Sequence, residues 1–281
     1  MMDIIANKTF DEERALYALK DSQVINCTFA GPADGESALK EACGIEVENC
    51  RFSLRYPFWH TTGFSVKNCR MDDTARAALW YCKNGELDGL VTDGIKGVRE
   101  CEDISLKNVT AVSPEFGWKC RSLHFENCTV TGDYFLLDSR DLKLENVTLN
   151  GKYSFQYTEN VTVENCELNT KDAFWHAKNV TVKNCKVKGE YLAWYSENIT
   201  FINCEISGTQ PLCYCKGLKL IDCTMSGCDL SFEYSDVEAD VKGHIGSVKN
   251  PRSGRISADS IGEVIQENSV METDCVIESK G

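Results

Sequence analysis

The chain has 281 residues, 26% of them charged, and carries a formal net charge of −13 with a pI near 4.9. That balance excludes the basic surface that nucleic acids and anionic membranes select, so neither is an expected partner. No apolar run is long enough to span a bilayer, and the opening MMDIIANKTFDEER lacks the basic and apolar segments of a secretory leader, so a cytoplasmic location is expected.

From the N-terminus, residues 1–13 read as a lead-in or cap. Residues 14–27 (RALYALKDSQVINC) place Asn26 and Cys27 where later segments repeat an Asn-Cys pair, so this stretch is expected to be the first coil. A capping helix is the rival, because Thr9 and Glu12 have capping-box spacing before an Ala/Leu-rich run. Further pairs follow at Asn49-Cys50 and Asn68-Cys69, after an insertion, GPADGE (31–36), with loop composition. Between residues 70 and 97 small insertions disturb the frame, although Cys82, Cys101 and Cys120 keep a spacing of 19.

Beyond residue 96 the period is continuous. VTVENCELNTKDAFWHAKN (161–179) is followed without a gap by VTVKNCKVKGEYLAWYSEN (180–198), and Asn127, Asn146, Asn165, Asn184, Asn203 and Asp222 fall 19 apart. A fixed short period means stacked units that bury their apolar faces on one another. Within one unit VTV (161–163), CEL (166–168) and AFWHA (173–177) read as three short strands of period two, with a corner at Glu164-Asn165. Asn suits that corner because it tolerates the left-handed conformation, and a column of amides can hydrogen-bond coil to coil. The expected fold is all-β: a right-handed parallel β-helix of about twelve three-strand coils over residues 14–242, with residues 243–281 as an atypical C-terminal closing rung. All of residues 1–281 then form one domain. The 16 cysteines stand mostly in two columns of this frame and read as small buried thiols rather than a disulfide framework. Nearly all of the eight Asn-x-Thr triplets coincide with turn asparagines, which explains them better than glycosylation does.

Several segments carry a resemblance. YSFQY (153–157), KDAFWH (171–176), GEYLAWYS (189–196), GTQPLCYC (208–215), FEYSDVEA (232–239) and SVKNPRSG (247–254) resemble an uncharacterised bacterial domain family of right-handed parallel β-helix proteins in the pectate-lyase-like superfamily. The resemblance implies the fold and transfers no catalytic residue. Lyase-like members of the superfamily use an Arg base with Asp-bound calcium and hydrolase-like members an Asp cluster, and neither arrangement is found here.

Candidate functional residues come from the third strand. If Ser139, Thr158, Ala177, Ser196 and Cys215 point inward, alternation sends Asp138, Tyr157, His176, Tyr195, Tyr214 and Glu233 outward. On the same face four residues earlier lie Tyr134, Tyr153, Asp172, Tyr191 and Asp229, with Phe155 and Phe174 between the columns. The opposite register, which buries the tyrosines and exposes Trp175 and Trp194, stays open. An exposed aromatic face suits an oligosaccharide or glycoconjugate. Tyr134, Tyr153, Tyr157, Phe174, Tyr191, Tyr195 and Tyr214 are the candidate binding residues, and Asp138, Asp172, His176 and Glu233 the candidate titratable groups. His60 repeats the position of His176, which favours a structural role for both. No metal motif, phosphate loop or nucleophile elbow occurs; Cys213-x-Cys215 lacks partner ligands, and no cofactor is expected. The expected function is carbohydrate binding, of glycoside hydrolase or polysaccharide lyase type if catalytic; the alternative is a non-catalytic scaffold for a protein or glycan.

Overall fold

The structure, a computed structural model, describes residues 2–31 and 36–280; most of the 31–36 insertion lies outside the described residues. Every regular element among them is a β-strand, and the strands wind into a parallel β-solenoid of about fourteen turns. Two compact units, Met1–Lys143 and Leu144–Gly281, are built by the same rules.

In the second unit the first wall consists of Glu159–Glu164, Lys178–Lys183, Glu197–Ile202 and Leu218–Met225, paired in parallel with Val161 opposite Val180 and Val180 opposite Ile199. Alternation buries Val161, Val163, Val180, Val182, Ile199 and Phe201. The outward positions are charge-paired between coils, as in Lys183 to Glu164 at 2.9 Å and Lys178 to Glu197 at 3.3 Å. Such exposed pairs contribute about 0–1 kcal/mol each. Their stronger effect is on register, because a slip would place like charges side by side. The first unit repeats the scheme from Asp3–Ala6 and Lys20–Ile25 up to Arg121–Glu126.

Asparagine makes the corner. Asn26, Asn49, Asn68, Asn108, Asn127, Asn146, Asn165, Asn184 and Asn203 all have φ between 50° and 55°. The left-handed conformation costs an ordinary L-residue about 1–2 kcal/mol. Here the side chains offset that cost: Asn203 Nδ2 donates to Asn184 Oδ1 at 2.9 Å, and Asn184 Nδ2 to Asn165 Oδ1 at 3.3 Å. A second ladder, Asn198 to Asn179 to Asn160, runs at the start of the first wall with both bonds at 3.2 Å. The cysteines are all free, and only Cys43 is exposed. They are more than apolar filler. Sγ of Cys185 accepts the backbone N–H of Cys166, and Cys120 does the same for Cys101, while Ser139 Oγ and Ser235 Oγ fill that role for Cys120 and Cys215.

The third wall departs from the expected strand. Short strands occur at Phe58–Trp59, Leu79–Trp80 and Val98–Arg99, but residues 153–157, 172–176 and 191–195 are turns. In them every second residue has positive φ, as in Asp172 (53°), Phe174 (59°) and His176 (55°). Their amides alternate in direction between coils. Asp172 and His176 donate to Glu190 O and Trp194 O on one side, and Phe174 donates to Ser154 O on the other. Those lateral bonds hold aromatic residues in a conformation that their side chains disfavour.

The ends also differ from expectation. No helix forms over residues 12–18, because Arg14, Leu16 and Ala18 donate to Glu36 O, Ala38 O and Lys40 O of the next coil instead of closing helical turns. A coil already begins at Asp3–Ala6, and beyond residue 242 the ladder continues in Ser253–Ile265 and Val276–Ser279. These additions raise the turn count from twelve to about fourteen. Around residues 241–244 no Asn corner separates the walls, so Asp236–Lys249 runs on as one 14-residue strand with a register shift between Val241 and His244.

Candidate functional site

Alternating left- and right-handed residues change which side chains reach the surface. A strand would alternate strictly; these turns bury consecutive residues and then bring the next two toward the surface. In the coil from Asp172, Ala173 and Phe174 are buried, Trp175 is half-buried, His176 exposed and Ala177 buried. The coils from Tyr153 and Tyr191 follow the same order. The two alternative registers are therefore both wrong in part: the tyrosine column and the tryptophans share the surface, while Phe155 and Phe174 stack in the core with centroids 4.6 Å apart. Phe174, at 0% exposure, cannot contact a ligand, which removes it from the expected binding face.

The exposed column of the second unit is continuous. Tyr157, His176, Tyr195 and Tyr214 stack with centroids 5.0, 5.1 and 4.7 Å apart and planes within 15° of parallel. Tyr157 and Tyr195 remain 56% and 44% exposed. Each inner ring has both faces covered by its neighbours, so what reaches solvent is an edge carrying hydroxyl or imidazole groups. A sugar cannot slide between these rings. It can lie along their edges.

Beside the column runs a second row. Trp175 and Trp194 stack at 5.5 Å and donate their indole N–H to Tyr191 O and Gln210 O, at 2.7 and 2.8 Å. Gln156 Nε2 makes the equivalent bond to Asp172 O at 3.2 Å. Each bond fastens one coil to the first residue of the next turn and fixes the surface rings in place.

Asp172, expected to point outward with the tyrosines, is instead buried, at 6% exposure. Burial pushes its carboxyl above the usual range, Lys171 opposes that shift, and Glu190 reinforces it. Lys171 Nζ stands 3.9 Å from Asp172 Oδ2 and 3.3 Å from Glu190 Oε2, so the two carboxylate oxygens lie no more than about 7 Å apart. The same ammonium sits 5.5 Å from the centre of the Tyr191 ring. The hydrogen bond to Glu190 is the main cause that raises Lys171, which keeps it charged. Sequence reasoning missed Lys171 and Glu190; their 19-residue separation was the available signal.

The remaining candidates are placed differently. Glu233 is engaged by Lys249 at 2.9 Å, and its carbonyl accepts the Tyr214 amide at 2.7 Å. Burial, then the nearby Glu233 charge, raise the Tyr214 hydroxyl above its usual range. Tyr134 and Asp138 belong to the first unit, where both are exposed and Tyr134 O accepts the Trp118 indole N–H at 2.8 Å. Among the described residues no group of three or more His, Cys, Asp or Glu side chains is arranged to hold a metal ion.

Fold and surface together define a parallel β-solenoid with an aromatic third wall, the class expected from the sequence. The chain belongs to the family described as "Protein of unknown function (DUF3737)", which matches residues 3–278. No curated protein sequence matches it. Similar solved structures include the catalytic domain of a GH87 α-1,3-glucanase in complex with nigerose, at 8% identity and TM-score 0.38, covering 99% of this chain and 63% of that one. The A-module of mannuronan C-5 epimerase AlgE4 from Azotobacter vinelandii is similar at 9% identity and TM-score 0.28 over 100% of this chain and 91% of that one. The periplasmic alginate epimerase AlgG matches at 10% identity and TM-score 0.29, over 99% and 74%. This chain thus spans less than two thirds of the glucanase domain's length.

Proposed function

We propose that the third wall of the Leu144–Gly281 unit is a carbohydrate-binding surface. The observation that carries this reading is the stacked column Tyr157–His176–Tyr195–Tyr214, whose exposed edges repeat every 4.7–5.1 Å. That repeat is comparable to the advance of one pyranose along an extended glycan, so successive sugars would meet successive hydrogen-bonding edges. Rigid stacked rings lose little side-chain entropy on binding, which favours a weak polar ligand. Tyr153 and Tyr191, across the tryptophan row, extend the same surface.

One observation favours hydrolysis as a second reading. Asp172, buried and biased toward its protonated form, is joined through Lys171 to the exposed Glu190 carboxylate no more than about 7 Å away, which is below the upper limit of about 9.5 Å for the acid and base of glycosidases. Asp172 would act as the acid and Glu190 as its partner. A glycan-array screen tests the binding proposal, and a reducing-sugar assay on each retained glycan tests the hydrolytic one. Retention lost in Tyr195→Ala, with the fold intact, is the expected result. An array with no retained glycan would leave the scaffold alternative.

A further inference from the structure

The indole rule that organises the third wall fails at one place in the first unit. Trp118, like Trp175 and Trp194 in the second unit, donates to the backbone carbonyl sixteen residues ahead. Trp59 does not: its Nε1 is covered from solvent and has no acceptor among the described residues. Trp80 turns to a side chain instead, Glu100 Oε1 at 3.4 Å. The coil spacing also changes here. Trp59 pairs with Trp80, 21 residues on, whereas Trp80 pairs with Arg99 after the usual 19.

The same stretch carries a cavity of about 170 Å³ lined by Tyr56, Arg76, Ala77, Trp80, Lys96 and Arg99. Three of the six residues are cationic and none is acidic, in a chain with 43 acidic and 30 basic residues. Arg99 is held for recognition: its guanidinium lies 5.7 Å from the Trp80 ring centre and 5.4 Å from that of Trp118, and Nε faces Glu100 Oε1 at 3.3 Å. Its two terminal nitrogens have no acceptor among the described residues, so the edge of the fork that matches a carboxylate or phosphate is open. Lys96 has a single acidic contact, Glu115 at 3.5 Å, and the exposed Arg76 side chain has no ion-pair partner among the described residues. Tyr56 and Trp80, with ring centroids 5.8 Å apart, supply an apolar wall.

We propose that this cavity binds a small organic anion, its carboxylate or phosphate held by Arg76, Lys96 and Arg99 and its flat apolar body set against Tyr56 and Trp80. The volume suits a head group with one small ring. This ligand class and this unit differ from those of the proposed carbohydrate surface, and either site can fail without the other.

The test is calorimetric titration of the full chain at fixed ionic strength with phenyl phosphate, benzoate and inorganic phosphate. Saturable binding of phenyl phosphate or benzoate is expected, the tighter of the two identifying the head group. Arg76→Gln and Lys96→Gln should each weaken it about tenfold, the loss of one charge-assisted hydrogen bond, with melting temperatures confirming that each variant folds. Three results would overturn the proposal: no saturable binding of either aromatic anion, equal binding by both folded variants and the parent chain, or the tighter aromatic anion binding no tighter than inorganic phosphate.

Discussion

The rings of Tyr157 and His176 lie 5.0 Å apart and 7° from parallel, and both residues have positive φ. A side chain that is exposed and yet stacked contributes to stability less than a core ring and more than a free one. Tyr157→Ala removes this stack, worth about 0.5–1.5 kcal/mol, and Tyr195→Ala removes two, roughly 1–3 kcal/mol. The fully buried Phe174 is the internal reference, and Phe174→Ala should cost about 3–5 kcal/mol. Chemical denaturation of the three variants checks the order. Glycan binding should fall by about 1–3 kcal/mol in the tyrosine variants if their edges hold ligand.

The Asn ladder gives a sharper comparison at Asn184, which accepts from Asn203 and donates to Asn165. Asn184→Gly keeps the left-handed backbone and loses both amide bonds, about 1–2 kcal/mol by net hydrogen-bond values. Asn184→Ala adds the strain of a Cβ at φ 54°, a further cost of about 1–2 kcal/mol. Denaturant midpoints should therefore rank the parent chain above Gly and Gly above Ala. If Ala is as stable as Gly, the left-handed corner is not what the asparagine secures.

The frame of this solenoid is legible in the sequence because each feature recurs under one physical constraint. Left-handed corners select Asn, inward positions at those corners select small side chains, and both repeat every 19 residues wherever no insertion intervenes. The third wall is not legible by the same means. Nothing about Tyr153, Phe155 or Phe174 announces positive φ, since these residues disfavour it and are held there by lateral hydrogen bonds that only the stacked neighbours supply. Reading AFWHA as a strand therefore placed the tyrosine column and His176 correctly on the surface and Phe174 wrongly. Glu190 was overlooked because its relation to Asp172 runs through Lys171 rather than through a shared column.

The cysteine columns predict a labelling pattern. Only Cys43 is exposed, so a thiol-alkylating reagent should add one label to the native chain and sixteen after unfolding, without any reductant. Burial also raises the Cys215 thiol to about 11, which suppresses its reactive thiolate at neutral pH. Cys215→Ser should be tolerated within about 1 kcal/mol, because Ser196 and Ser235 already occupy this column, whereas the added methyl of Cys215→Val should cost about 1–3 kcal/mol by overpacking. Intact mass and thermal melts read both outcomes.

Asp172 should leave a signature in the pH dependence of stability. Its folded carboxyl titrates above the ordinary aspartate value, burial being the main cause. Between the unfolded and folded values the native state holds more protons than the unfolded chain, so stability falls as pH rises through that window. The contribution of protonated Asp172 is fully present below the unfolded value and lost above the folded one. Asp172→Asn keeps a neutral polar side chain in the same place and has no such loss. Relative to the parent chain, the variant should therefore gain stability on going from pH 3 to pH 7, and paired denaturation curves at the two values measure that gain. A variant that instead loses ground at pH 7 would mean that Lys171 outweighs burial and that Asp172 is an ordinary ion-pair carboxylate, which would remove the acid from the hydrolytic reading while leaving the tyrosine column untouched.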